Sequence, residues 1–224
     1  MKYAFFSQPN NAMVLLYFLL RLIVTAVLLL SLLYGRYDHA GFCVLSLLLF
    51  LLPEAVSRRF RITLPHITEA LFLLFIFASE ILGELGQFYL RFPHWDTLLH
   101  TIGGLLSTAL GFSVIRLFHH NDTECTPLFC AASVFCFSMT VGIFWEFFEF
   151  GMDTVFHTNM QKDRMLYRFS TPCLDIGLYD TMGDLLTHAL STAFLCGLGF
   201  LHIRSPKPNS FAEIILPLRQ DFPK

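Results

Sequence analysis

At 224 residues, with 55% hydrophobic residues, 26 phenylalanines and only 14% charged residues, the chain is too apolar for a soluble domain, which carries about a quarter of its residues as charges. A formal net charge of −2 without a long basic run argues against nucleic acid as a partner. What fits is a polytopic all-α membrane protein, a helix bundle surrounded by membrane lipids with no length left for a soluble domain.

A bilayer core takes about 20 mostly apolar residues per helix, and six stretches qualify: 13–34, 38–56, 66–88, 95–118, 128–151 and 180–203. Residues 1–224 are therefore expected to form a single integral membrane domain. The N-terminal MKYAFFSQPNNA has one lysine and no small-residue cleavage site after a short apolar core, so the first span is expected to be retained and not removed as a signal peptide. Arg21, inside that span, is expected to snorkel. Pro53-Glu54 marks a helix end, and Arg58, Arg59 and Arg61 are ordinary juxtamembrane charges.

Counting Lys and Arg on alternate sides sets the orientation. With the N-terminus in the cytoplasm, the inner segments hold nine of them: Lys2, Arg58, Arg59, Arg61, Arg116, Arg204, Lys207, Arg219 and Lys224. The outer segments hold five: Arg36, Arg91, Lys162, Arg164 and Arg168. The excess predicts both termini inside and the loop 154–179 outside. Cys43, Cys125, Cys130, Cys136, Cys173 and Cys196 are scattered without a CxxC pair, so neither a disulfide framework nor a zinc knuckle is expected. Asn121-Asp122-Thr123 matches a glycosylation pattern but falls on the cytoplasmic side of this topology.

Ionisable residues then break the apolar spans in four places: Glu80/Glu84, Asp96/His100, Glu146/Glu149/Asp153 and Asp180/Asp184/His188. An Asp at the centre of a spanning helix costs roughly 2.5 to 3.5 kcal/mol on insertion scales, so such residues are rarely carried without use. Span parity brings the end of the third span, the start of the fourth, the end of the fifth and the start of the sixth to one face, and all four clusters sit at those ends. Within each helix, residues three and four apart lie on one side. Gly103, Ser107 and Gly111, and Ala189, Ala193 and Gly197, form small-residue stripes expected to let helices approach closely.

Eight carboxylates and two imidazoles so close together, away from water, cannot all be charged and unpaired. Bound cations, retained protons, or Arg91, Lys162, Arg164 and Arg168 folding over the site could balance them. A divalent metal suits the residue types best, because mixed His/Asp/Glu ligands on facing helices are how carboxylate bundles hold metal. Asp96, His100, Glu146, Glu149, Asp180, Asp184 and His188 are the expected ligands, with Glu146 and Glu149 also candidate catalytic bases. The Glu-x-x-His pairing of di-iron bundles is absent. Against this stand ordinary alternatives. Asp96, Asp153 and Asp180 lie near helix ends, where an Asp caps, while Trp95 and Trp145 suit an aromatic belt. The loop 154–179, between Asp153 and Asp180, is either a cover for the site or a connector.

The segments WDTLLH (95–100), WEFFEFGMD (145–153) and YDTMGDLLTHALS (179–191) resemble the signatures of the YjdF-type bacterial inner-membrane proteins and, more distantly, of VanZ-like proteins associated with glycopeptide (teicoplanin) resistance. The resemblance implies a six-helix fold in a bacterial inner or cytoplasmic membrane and a shared polar site carried by Asp96, His100, Glu146, Glu149, Asp180 and Asp184. It implies no reaction. Glu80, Glu84, Asp153 and His188 rest on local spacing alone, and His188 departs from the Asn that VanZ-like proteins tend to place after the final acids.

Three functions are compatible with these residues: metal-dependent action on a lipid-linked or cell-envelope substrate, proton- or cation-coupled transport, and a scaffold whose polar network fixes helix packing. No GxSxG, HExxH or P-loop appears, and no internal repeat of the transporter kind. The topology has a direct check. With the native cysteines replaced by alanine, Asp163→Cys is expected to react with an impermeant thiol reagent in intact cells and Arg59→Cys is not. Exclusive labelling at position 59 would invert the orientation.

Overall fold

The protein was analysed as a computed structural model that describes residues 11–60, 66–118, 126–157, 160–161 and 176–205, and every regular element among them is helical. The first helix, α1 (Asn11–Leu33), closes with Gly35 at φ +68. The Arg36 amide donates to the Ser31 carbonyl and the Gly35 amide to that of Leu32, a left-handed stop that favours glycine. The chain then reverses into α2 (Tyr37–Leu49).

The expected span 38–56 does not continue as one helix. Pro53 has no amide with which to extend the ladder, so the helix breaks at Phe50–Leu51 and resumes as α3 (Leu52–Phe60). The apolar piece His39–Ala55 falls short of a full span. The expected span 66–88 is likewise interrupted. α4 (His66–Ile76) passes into wide π-helical turns over Phe77–Leu85, a form that is rare and concentrated at functional sites. The turn ends at Gln87, which has φ +58, before the short α5 (Phe88–Arg91).

Three long helices complete the fold: α6 (Trp95–Phe118), α7 (Pro127–Phe156) and α8 (Ile176–Arg204). Thr126 caps α7 by accepting from the Phe129 amide, and Pro127 fits the first turn, where its missing amide costs nothing. Among the described residues, four helices are long and apolar enough to cross a membrane: Asn11–Leu33, Trp95–Ile115, Pro127–Val155 and Gly177–Arg204. α7 and α8 each extend beyond their expected spans, so Asp153 lies in the last turn of α7 and Asp180 in the second turn of α8.

Two apolar clusters organise the bundle. Ala109, Phe112, Ala131, Val134, Leu195 and Cys196 join α6, α7 and α8. Met13, Leu20, Val24, Cys43, Phe50, Leu73, Ile76 and Ile81 join α1, α2, α4 and the π turns. Contacts of α4 and the π turns with α6 link the two halves. Leu15, Phe18, Leu22, Phe144, Phe147 and Phe194 point outward and exposed, a surface suited to lipid. Arg21 lies with its guanidinium 5.2 Å from the Tyr17 ring centre.

Cys130 is disulfide-bonded, and Cys43, Cys136 and Cys196 are free. One expectation needs correction. The expected stripe on α6 packs closely at Ser107, 2.6 Å from Ser138 Oγ, and at Gly111, where a Cβ would meet Phe137 and Val134 at 3.0 Å, but α8 does not present the expected face. A Cβ on Gly104 would strike Ser191 Oγ and come within 2.8 Å of the His188 carbonyl, whereas nothing lies within 4 Å of one on Gly197. Ala193 and Gly197 are exposed, and four-residue spacing alone cannot choose between neighbouring faces. Gly104→Val is therefore expected to pry α6 from α8 and cost about 1 to 3 kcal/mol, the usual range for overpacking. Gly197→Ala should be neutral, with both read from thermal unfolding in one detergent.

A candidate metal centre around His100

Pro93 ends the connection after α5, and α6 begins at Trp95 with Asp96 in its first turn and His100 one turn further on. The C-terminal half of α7 carries Glu146 and Glu149, and the third turn of α8 carries Asp184. All five residues are buried, none more than 8% exposed. His100 is the centre of the group. Its Nε2 lies 3.7 Å from Asp96 Oδ1 and 3.7 Å from Asp184 Oδ2, and its Nδ1 lies 3.9 Å from Glu146 Oε1.

These separations are too long for direct hydrogen bonds and suit donor atoms arranged around an ion. Two ligands held about 2.1 Å from one metal stand at most about 4.2 Å apart. Two sets have ligand atoms that all lie within 4.8 Å of one another: Asp96, His100 and Asp184, and His100, Glu146 and Glu149. The imidazole is common to both. Glu149 is fixed by its own helix, since its Oε1 accepts a 2.8 Å hydrogen bond from Trp145 Nε1.

The remaining expected residues are placed differently. Asp180 is half-buried one turn before Asp184 and belongs to neither set. His188 is buried a turn deeper, where its Nε2 meets the Ser138 carbonyl at 3.0 Å. A carbonyl only accepts, so Nε2 carries the proton. Ser138 Oγ and Ser107 Oγ stand 3.2 and 3.4 Å from the same nitrogen. Asp153 ties down the chain after α7, with its two oxygens accepting from the Met160 and Gln161 amides at 2.8 and 2.9 Å. Gln161 in turn donates to Thr181 at the start of α8. Most of the loop 154–179 lies outside the described residues, as do Lys162, Arg164 and Arg168.

Glu80 is buried and Glu84 half-buried on the π turns. They line a cleft of about 1340 Å³ together with Asp96, Glu149, Trp145 and Tyr89. Tyr89, which the sequence did not single out, stands 3.3 Å from Ser79 Oγ. Burial, first of all, pushes its hydroxyl well above its ordinary pKa and keeps it neutral beside the carboxylates.

Beneath the acids lies a layer of hydroxyls also missed by the sequence. Ser138 Oγ is 2.6 Å from Ser107 Oγ and 2.8 Å from Thr192 Oγ1, and Thr108 donates to the Gly104 carbonyl at 2.6 Å. The available signal was polar residues in the middle of apolar spans, at 107, 108, 138 and 192.

An all-α bundle with helices fit to cross a membrane and a buried carboxylate–histidine cluster able to coordinate a metal ion defines the class of this protein. The chain belongs to DUF2238, a family of predicted membrane proteins whose model matches residues 16–205. No curated protein and no solved structure matches it.

The two polar layers should respond oppositely to substitution. Glu149→Gln keeps an acceptor for Trp145 and removes like-charge repulsion, so the melting temperature should hold or rise. Ser138→Ala leaves buried partners unsatisfied and should cost about 1 to 3 kcal/mol. Melting curves of both variants beside the wild type check this.

Proposed function

We propose that the protein is a membrane-embedded, metal-dependent enzyme acting on a lipid-linked or cell-envelope substrate. The observation that carries this is His100, buried among carboxylates from three helices at ligand-like separations. The proposed holders are two sets that share His100, either of which takes one ion: Asp96, His100 and Asp184 on the Nε2 side of the ring, and His100, Glu146 and Glu149 on the Nδ1 side. Asp180, one turn before Asp184 on α8, is proposed as a further ligand, and His188 as a neighbour one turn deeper. A divalent cation bound there supplies Lewis-acid polarisation of a phosphoryl or acyl oxygen and activation of water. Glu146 or Glu149 would serve as general base, with Trp145 holding Glu149 in position.

The proposal includes six crossings, with the interrupted stretches 38–56 and 66–88 spanning as well. Both termini lie in the cytoplasm of a bacterial cell, and the site sits near the outer leaflet of its inner membrane. The positive-charge count supports this orientation, and the three ordered motifs at 95–100, 145–153 and 179–191 support a YjdF-type membership with VanZ-like proteins as distant kin. Coupled transport is less well supported. Below Ser138 and Thr192 the interior holds the apolar cluster of Phe112, Val134 and Leu195, with no carboxylate in it among the described residues to pass a proton onward.

The test is metal content. Wild-type protein purified in detergent and dialysed against manganese or zinc should retain stoichiometric metal. His100→Ala, which removes the group common to both ligand sets, should retain none, and Glu146→Gln should bind more weakly. A wild type without retained metal would reject the proposal.

A further inference from the structure

A second cavity, of about 770 Å³, opens from the metal centre and runs down between α4, α6 and α7. Its upper end holds Asp96, His100 and Glu149, and below them the walls become apolar, with Phe72, Phe75, Leu99, Leu106, Leu110 and Val141. This slot shares Ser79, Tyr89, Asp96, Trp145 and Glu149 with the cleft beside the π turns, so the two border the same side chains. α7 packs chiefly on α6 and α8, which leaves the wall between α7 and α4 incomplete. Val141 and Trp145, on that wall, are 40% and 37% exposed.

We infer that this slot seats one hydrocarbon chain of a membrane lipid, entering sideways between α4 and α7, with the lipid's polar group at Asp96, His100 and Glu149. Two features select this occupant. The carboxylates of the cavity, Asp96 and Glu149, stand at one end, and its deeper walls are apolar apart from Ser107 and His188, which is the pattern of an amphiphile more than of a soluble metabolite. Its length also fits: Asp96 to Leu110 is fourteen residues of α6, about 21 Å at 1.5 Å per residue, enough for a chain crossing the roughly 15 Å of hydrocarbon in one leaflet. The inference deepens the proposed function by naming the part of the substrate that binds first, and it rests on that reading only for the role of the polar end.

The full chain is reconstituted in phosphatidylglycerol/phosphatidylcholine vesicles containing a phospholipid with a diazirine near the end of one acyl chain, then irradiated and mapped by peptide. Label should concentrate at 72–75 and 106–110 over the outward faces at Leu15 and Leu190. Val141→Trp and Leu110→Trp, which fill the slot from two sides, should each reduce it several-fold while metal content stays unchanged. Interior label no higher than at the outward faces overturns the inference, as does unchanged label in both folded tryptophan variants. The metal reading fails or stands separately. Interior label persisting in His100→Ala supports the slot even where no metal is held, and stoichiometric metal without interior label rejects the slot alone.

Discussion

A polar group buried between apolar helices has to find its partner inside the protein, and in this bundle that requirement falls mainly on α6. Its first turns face α7 and α8 with Asp96 and His100, and its next two turns face them with Gly104, Ser107 and Thr108. Gly104 sets the distance for both layers. Without a Cβ it lets Ser191 and the His188 backbone come against α6, and the same approach brings Asp184, one turn above His188, to the His100 imidazole. A side chain at position 104 would therefore disturb the hydroxyl network and the carboxylate cluster together.

The π turns solve a different problem. An α-helical continuation of α4 would end with its last residues on regular faces, whereas the wide turns and the left-handed Gln87 reverse the chain tightly. That reversal returns Tyr89 against Ser79, and a Cβ on Gly83 would strike the Tyr89 ring. Glu80 and Glu84 are thereby turned into the cleft that holds Asp96 and Glu149. The cost of an irregular helix is met where it aims two further carboxylates at the same space.

Much of this was legible in the sequence because helical spacing and span parity are strong constraints. They place Asp96, His100, Glu146, Glu149 and Asp184 at one end of the bundle, and those side chains do come together. What parity does not supply is the rotation of each helix about its axis. Gly103 and Gly104 are neighbours about 100° apart on a helix of 3.6 residues per turn, and only the contact with Ser191 selects the second. His188 shared the spacing of Asp184 yet is committed to Ser138 through its Nε2, because it lies one turn below the acids at the level of the hydroxyls. The interruptions at Phe50–Leu51 and at the π turns were less visible. Pro53 hinted at the first, while no residue between Phe77 and Leu85 breaks an α-helix by itself.

The two polar layers divide stability from chemistry. Hydroxyls bonded to one another and to the Gly104 carbonyl carry no net charge and satisfy most of their bonds locally, so they hold three helices without electrostatic cost. The acids above do the opposite, crowding like charges in a volume from which water is largely excluded, which weakens the fold unless a cation or protons compensate. A bundle that already has its hydroxyl layer and its Phe112–Val134–Leu195 core can tolerate that strain. Sites kept at the expense of stability are usually kept for function. That asymmetry, more than the number of acids, marks the cluster as a candidate metal centre: His100 holds carboxylates from three helices at 3.7 to 3.9 Å, a spacing that suits ligands arranged around an ion.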